Sequence, residues 1–402
     1  MKSFASFVFA AVLTGHLTLV RSTLAQNWTA SSAPLANWYA VASSADGSNL
    51  VASASQQYLI YTSTDGGATW APTGAPSINW GTVASSADGS LLVAVGFTGS
   101  AYPIYTSADS GATWTPTSAP NFEWTSVASS ADGSKLVAVS YYDPSSSPGP
   151  IYTSANSGAD WTLAIAPRAH WTSVACSADG AKVAAVVANG LIYTSTNSGS
   201  TWQATQAPSA NWYSIVSSAD GTKLVASAST ERRIYASTNS GASWTATSAP
   251  SQNWGPLATS ADGTKLVAVG FTGTAYLIYT STNAAATWTL NSAPNFEWNS
   301  IAASADGTML AAVGLFDPSS NPGPIYTAQS VPAPRLNMQL AGGGAVISWT
   351  IPSMAFTLQQ NIDLATTNWT DVPMPPVLNL TNLQNQVVVS PTNQAGFYRL
   401  KH

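Results

Sequence analysis

The chain has 402 residues with a formal net charge of −5, and only 7% of them are charged. Nucleic acid demands a concentrated Lys/Arg footprint to displace counterions, and 12 basic residues scattered along this chain do not supply one, so that partner is excluded. Ser, Thr, Ala, Asn and Gly abound and Trp reaches 16 copies, a composition that makes a polar but nearly uncharged surface.

Residues 1–25 read as a secretory signal: Lys2, an apolar stretch from Phe7 to Val20, and small residues at Thr23 and Ala25 before the expected cleavage. The mature chain is then expected to begin at Gln26, outside the cell, as a monomer. A membrane anchor needs about 20 unbroken apolar residues, and the sequence holds no such run. The single cysteine, Cys176, stands where sister repeats carry Ser, so no disulfide framework forms within the chain.

Self-similarity dominates the next 300 or so residues, and a period of about 40 to 50 residues marks propeller blades or solenoid units. Seven copies open on Trp38, Trp80, Trp124, Trp171, Trp212, Trp254 and Trp298, spaced 42, 44, 47, 41, 42 and 44 apart, and each runs on to Ser-Ala-Asp-Gly. In the third copy, residues 124–130 form a first strand, 131–134 a Gly-containing turn, 136–140 a second strand and 151–153 a third. A second turn, 154–161, leads to a fourth strand ending near Ala166. Four strands per unit, apolar on both faces in the middle, suit blades packed face to face around an axis. The expected fold is therefore all-β: a seven-bladed β-propeller of four-stranded blades over residues 26–330, followed by a small β-sandwich.

The seventh copy stops after Ile325-Tyr326-Thr327 without its fourth strand, leaving an edge prone to mispairing. At the opposite end, residues 27–34 (Asn-Trp-Thr-Ala-Ser-Ser-Ala-Pro) align with the fourth strand at 113–120, so the mature N-terminus is expected to close the ring. A second symmetry at an offset of 174 pairs Asn79 with Asn253 and residues 121–124 with 295–298, relating blades 1 to 3 with blades 5 to 7. Past Val331 the repeat ends at Pro332-Ala-Pro334. Strands are expected at 336–340, 345–351, 356–360, 387–390 and 397–400, as a fibronectin-III-like module over 331–402.

The second turn of each copy resembles the Asp-box, Ser-x-Asp-x-Gly-x-Thr-Trp, of BNR-type propellers in sialidases, xyloglucanases, sortilins and photosystem II assembly factors. It is cleanest at residues 63–70 and 107–114, with Asp65 and Asp109; Asn156, Asn197, Asn239 and Asn283 replace the Asp later on. The resemblance implies a folding element that pins a hairpin, with no part in catalysis, so the motif speaks for fold rather than function.

Function must then lie where the copies differ. The Asp-boxes and Ala-Asp-Gly turns share one face, leaving the other to the blade-linking loops and the loops between second and third strands. Residues just before each opening Trp (Asn37, Asn79, Glu123, His170, Asn211, Asn253, Glu297) would form a polar collar. The long loops add Phe97 and Tyr102, their counterparts Phe271 and Tyr276, and Tyr141, Tyr142 and Phe316, aromatic faces suited to sugars or peptides. These aromatics could equally well cap the blades.

Catalytic constellations are thin. Sialidase chemistry, as the resemblance implies it, needs an arginine triad, and this propeller has only Arg168, Arg232 and Arg233. Glycoside hydrolysis needs two carboxyls roughly 5 to 10 Å apart; Glu123 and Glu297 are the best pair, expected to lie too far apart. Beyond the expected signal segment only His170 and His402 could act as an imidazole base, so neither a nucleophilic triad nor a zinc site assembles. A Ca²⁺ at Asp143 or Asp317 would rest on one carboxylate per loop. No cofactor or resident metal is expected. The leading expectation is a secreted, non-enzymatic recognition propeller for a glycan or an extracellular protein; the alternatives are a divergent glycoside hydrolase using Glu123 or Glu297, and a structural surface protein.

Overall fold

The computed structural model describes residues 27–329 apart from 56 and 318, then 337–341, 344–350, 357–361, 370–379, 384–389 and 397–401. The expected signal segment 1–25 and the linker at 332–334 lie outside the described residues. Among those described, every regular element is a strand, and no helix is long and apolar enough to cross a membrane.

Repetition in the sequence becomes seven four-stranded antiparallel sheets, each made of consecutive strands except the last. The inner strands touch one another in an unbroken cycle, the innermost strand of blade 7 (Trp298–Ala303) meeting that of blade 1 (Trp38–Ser43). Second strands such as Leu50–Ala54 and Val183–Val187 are buried along their whole length, because a blade covers each face. That explains why they run as small and apolar residues without a charge (Leu-Val-Ala-Ser-Ala and Val-Ala-Ala-Val-Val), where a one-sided strand would alternate. The opening tryptophans wedge between blades: Trp38 and Trp171 are 0% exposed and Trp254 is 1% exposed. Burying each such ring contributes about 1.5–3 kcal/mol. Trp171, for example, packs on Val137, Val139 and Ile151 of the preceding blade.

Closure follows the expectation. Asn27–Ala30 pairs antiparallel with Ile325–Gln329, with Trp28 opposite Ala328 and Thr29 opposite Thr327, and the Ser31 N–H donates to the Ile325 carbonyl at 2.9 Å. Trp28 also donates its indole N–H to the Asn291 side chain of blade 6 at 2.8 Å. The borrowed strand is thereby fixed to two blades.

At the lower end of the channel the seven turn alanines bond to each other in a ring. The Ala45 N–H donates to Ala87, Ala87 to Ala131, and so on through Ala178, Ala219, Ala261 and Ala305 back to Ala45, every contact at 2.7 Å. Only a closed seven-membered cycle satisfies all of these backbone groups at once.

Beyond the ring, Asn337–Ala341, Gly344–Thr350, Gln384–Val389 and Val377–Asn379 form one sheet, and Thr370–Asp371, Thr357–Asn361 and Phe397–Lys401 form another. Ile347, Trp349, Leu358 and Val387 pack together as a core drawing on both sheets. The five expected strands are present within a few residues; Thr370–Asp371 and Val377–Asn379 were not anticipated, being too short to show periodicity. Leu378, on the latter, packs against the alanine ring.

Candidate functional site

Two faces could carry a ligand. On the lower face each carboxylate is engaged within its own turn: Asp65 accepts from Ser63 Oγ at 2.8 Å, Thr69 N at 2.9 Å and Thr69 Oγ1 at 2.6 Å, while the Trp70 indole donates to the Gly67 carbonyl at 3.0 Å. Asn156 reproduces the pattern through its Oδ1. Burial opposes ionisation of Asp88, but hydrogen bonds from Ser86 and Ser90 outweigh it and hold the carboxyl below its ordinary range. The channel opening on this side is a cavity of about 190 Å³ ringed by alanines and by small residues such as Ser43, Ser85, Ser129 and Cys176. Its hydroxyls donate to neighbouring carbonyls: Ser43 to Ser44 at 2.8 Å, Ser85 to Ser86 at 2.9 Å and Ser129 to Ser130 at 3.0 Å. Cys176 Sγ lies 3.2 Å from the Ser129 carbonyl, and burial pushes its thiol up to about 12. Such a cavity offers a ligand little.

The upper face is different because each innermost strand is irregular just after its opening Trp. Register shifts fall between Trp38 and Ala40 in blade 1, between Trp212 and Ser214 in blade 5, and at matching places in the other blades. A bulge turns its extra residue out of the alternating pattern and re-aims the side chain. In blades 3 and 4 the bulged residues tie the ring together: Thr125 Oγ1 donates to the Trp171 carbonyl at 2.8 Å and Thr172 Oγ1 to the Trp212 carbonyl at 3.0 Å. Asn299 Nδ2 of blade 7 donates to the Tyr39 carbonyl at 2.7 Å. In blades 1 and 5 the bulged residues are Tyr39 and Tyr213, 40% and 45% exposed. The next blade carries Gly81 or Gly255 alongside, where an added Cβ would lie 3.9 Å from the tyrosine ring. At that distance such a carbon would make ordinary van der Waals contact, so each tyrosine ring lies against the neighbouring blade's innermost strand.

Around these two tyrosines the long loops place the expected aromatics. Phe97 stacks on Tyr102 with centroids 4.6 Å apart, and Phe271 lies on Tyr276 at 4.5 Å. Each loop is held by an asparagine: the Tyr102 N–H donates to Asn121 Oδ1 at 2.7 Å and that of Tyr276 to Asn295 Oδ1 at 2.9 Å. Four phenols here are raised above the ordinary tyrosine value, each chiefly by burial. Glu123 adds to the effect on Tyr39 and Tyr102, and Glu297, hydrogen-bonded to the phenol, adds to it on Tyr276. Tyr213 feels Tyr39, Tyr276 and Glu297 together. Both halves of the sequence thus contribute aromatics to this face, related by the 174-residue offset.

The remaining expected residues sit apart. Tyr141, Tyr142 and His170 form their own cluster, with His170 4.7 Å from Tyr141 and 5.1 Å from Tyr142. Phe316 lends its carbonyl to the Glu297 N–H at 2.9 Å. The collar is broken at Asn37, which is 2% exposed, its N–H donating to Gln57 Oε1 at 2.9 Å. Asp143 and Asp317 close their own loops: Asp143 accepts from Ser145 and Ser147, and Asp317 from Ser319 and Asn321. Those bonds hold both carboxyls low and tie each loop to its own backbone. Among the described residues no group of three or more His, Cys, Asp or Glu converges to hold a metal. Sequence reasoning missed Tyr39 and Tyr213. Their signal was a tyrosine directly after the opening Trp in two copies and a glycine at that place in the copy that follows each.

Neither a protein-family profile nor a curated protein matches this chain. Solved structures do. YCF48 bound to D1 peptide superposes with a TM-score of 0.56 at 14% identity, covering 76% of this chain and 96% of that one. The GH74 enzyme of Niastella koreensis gives 0.58 at 14% identity, covering 81% of this chain and 59% of that one. The Cps50 (Swd1) β-propeller domain of Myceliophteria thermophila gives 0.58 at 13% identity, covering 76% of this chain and all of that one. Likeness at this level of identity is likeness of fold, and the fold this chain shares with them is the β-propeller.

Proposed function

We propose that the chain is a secreted, non-enzymatic recognition propeller that binds a glycan or an extracellular protein at the upper channel mouth, with the C-terminal sheets as a fibronectin-III-like accessory module. Its Ser-x-Asp/Asn turns read as Asp-boxes and belong to the scaffold. The observation that carries the proposal is the pair of exposed bulge tyrosines, Tyr39 and Tyr213, on the inner strands of a ring whose long loops hold the stacked Phe97–Tyr102 and Phe271–Tyr276 pairs. Half-exposed aromatic faces on a rigid ring present apolar area with little rotamer entropy to lose, and Tyr is enriched at binding surfaces for that reason. One fold neighbour carries a bound peptide, an example of what a propeller of this kind can hold.

A glycan and peptide array probed with wild type and with a Phe97/Tyr102/Phe271/Tyr276 alanine variant is the test. Wild type should bind and the variant should lose at least tenfold in signal while keeping its melting temperature within a few degrees. Equal binding by both removes the site; no binding by wild type removes the recognition reading and leaves a structural surface protein. The second reading, a divergent glycoside hydrolase, draws on the Tyr276 phenol bonded to the Glu297 carboxylate. It predicts aryl-glycoside turnover that disappears in Glu123→Gln or Glu297→Gln.

A further inference from the structure

A repeating ring carries its own controls, because equivalent turns are equally exposed unless something covers them. On the lower face they are not equal. Of the seven turn alanines only Ala45 is buried, at 8% exposure, and its six sisters are half-buried. Asp46 and Asp306 are half-buried where the other five turn aspartates are exposed. Thr308, at 3% exposure, is buried where the residues matching it in the other six blades are half-buried. The covered turns are those of blades 7 and 1, whose inner strands adjoin. Side-chain chemistry divides the face in the same way. Directly after the turn, blades 3 to 6 carry Lys135, Lys182, Lys223 and Lys265, whose ammonium groups donate to a turn carbonyl of the next blade. Blade 7 has Met309 there, buried, with its Cε in the space that a Cβ on Gly66 of blade 1 would need. A lysine keeps its head in water, whereas a methionine at that place suits a face that is not wet.

The chain leaves the ring at the same place. Gln329 ends blade 7 opposite Met309, and Asn337 opens the C-terminal sheets after an interval of seven residues, 330–336. Such a tether spans roughly 30 Å at most and holds the sheets at high effective concentration beside the covered turns. One of their residues makes the contact: Leu378 joins Ala45 and five other ring alanines in a single apolar cluster, while its neighbour Val377 stays exposed. Val377–Asn379 is an edge strand of its sheet, so the module meets the ring by its rim. We propose that the C-terminal module is a plug for the lower end of the channel. Leu378 is seated on the alanine ring, the module covers the turns of blades 7 and 1, and the cavity of about 190 Å³ at that end is closed to ligands from below. The ring suits this use. Its backbone groups are spent on one another at 2.7 Å, leaving a rim of methyl groups that an apolar side chain fits and a polar ligand does not. The channel is therefore blind, with its upper mouth as the open end. This assignment does not depend on what the mouth binds.

Disulfide trapping in the full chain tests it, in a Cys176→Ser background so that no native thiol competes. Ala45→Cys/Leu378→Cys, oxidised with copper–phenanthroline, should close an intramolecular disulfide at least tenfold faster than Thr222→Cys/Leu378→Cys, whose ring position lies on blade 5, across the channel. Equal rates for the two pairs, or no disulfide in either, overturn the plug. Hydrogen–deuterium exchange gives a second readout. Leu378→Ser should speed exchange at 44–48 and 304–308 at least threefold while 218–222 keeps its wild-type rate. Unchanged exchange at 44–48 and 304–308 overturns the seat on blades 7 and 1. Where segment 344–350 opens as well, the module has lost its own fold and the trapping result alone decides.

Discussion

A single residue shows how the blades depart from their common rule. Five of the six complete second turns place Gly at the left-handed position, among them Gly67 (φ 88°) and Gly241 (φ 87°), but blade 6 has Ala285 there with φ 68° and 2% exposure. Holding an L-residue in that region costs about 1–2 kcal/mol. Gly also loses about 0.4–1 kcal/mol more unfolded-chain entropy than Ala and gives up the buried methyl. With the methyl at about 0.8 kcal/mol the terms cancel to within about 0.5 kcal/mol, so Ala285→Gly should leave the melting temperature within one or two degrees of wild type. A larger fall would mean the methyl packing outweighs the strain. Cys176 makes a pH prediction. Its folded thiol value of about 12 exceeds the ordinary 9.0, so the stability it contributes is whole below pH 9 and drains away as pH rises toward 12. Cys176→Ser, the residue its sister repeats carry, should flatten the alkaline limb of a melting-temperature profile above pH 9 and leave the neutral region nearly unchanged; an unaltered limb would contradict the burial. The mouth residues Tyr39 and Tyr213 were open to view in the sequence but not legible there. Alternation along a strand assigns them to a face, and only the bulge after the tryptophan reverses that assignment.

Among the elements, the N-terminal strand is the one whose role could be written down before any coordinates. Residues 27–34 carry the blade's fourth-strand pattern without a blade, and blade 7 carries a blade without that strand. The pairing of Trp28 with Ala328 and Thr29 with Thr327 joins them. Deleting residues 27–33 removes that ladder together with Trp28, whose ring lies 6.2 Å from that of Trp298 in the cluster between blades 6 and 7. Loss of such an aromatic alone costs about 3–5 kcal/mol. The truncated chain should unfold in one transition at least 10 °C lower, followed by circular dichroism or calorimetry. Full thermal stability after truncation would show that the ring does not need its borrowed strand. Elsewhere legibility tracked length. Second strands of five or more small and apolar residues announced themselves, whereas the fourth strands of blades 1 to 6 proved to be two-residue pairings such as Thr162–Leu163, shorter than the expected run to Ala166. Val377–Asn379 left no trace in the hydrophobic pattern because three residues, one exposed and two half-buried, make no period.

Over the whole molecule, repetition specifies the scaffold and departures from repetition specify the site. Seven alanines in identical turns can share one hydrogen-bonded ring only because each blade presents the same backbone there. The upper face has no such uniformity: tyrosine in blades 1 and 5, long aromatic loops in blades 2 and 6, glutamate before the tryptophans of blades 3 and 7. That distribution follows the internal duplication, and four-sevenths of a turn brings the duplicated halves nearly opposite each other across a single mouth. From sequence alone the loops point to the same face on which the proposed site lies. Their meeting at one centre was not readable, because it depends on how blades are spaced around an axis that the sequence does not encode locally. Hydrogen–deuterium exchange of the chain, alone and with the strongest binder from the array, puts this account to its most direct test. Protection should fall on segments 37–41, 97–102, 121–124, 211–214, 271–276 and 295–298, from both halves of the chain at once. Protection confined to the lower turns, the outer strands or one half alone would contradict a single recognition site at the channel mouth.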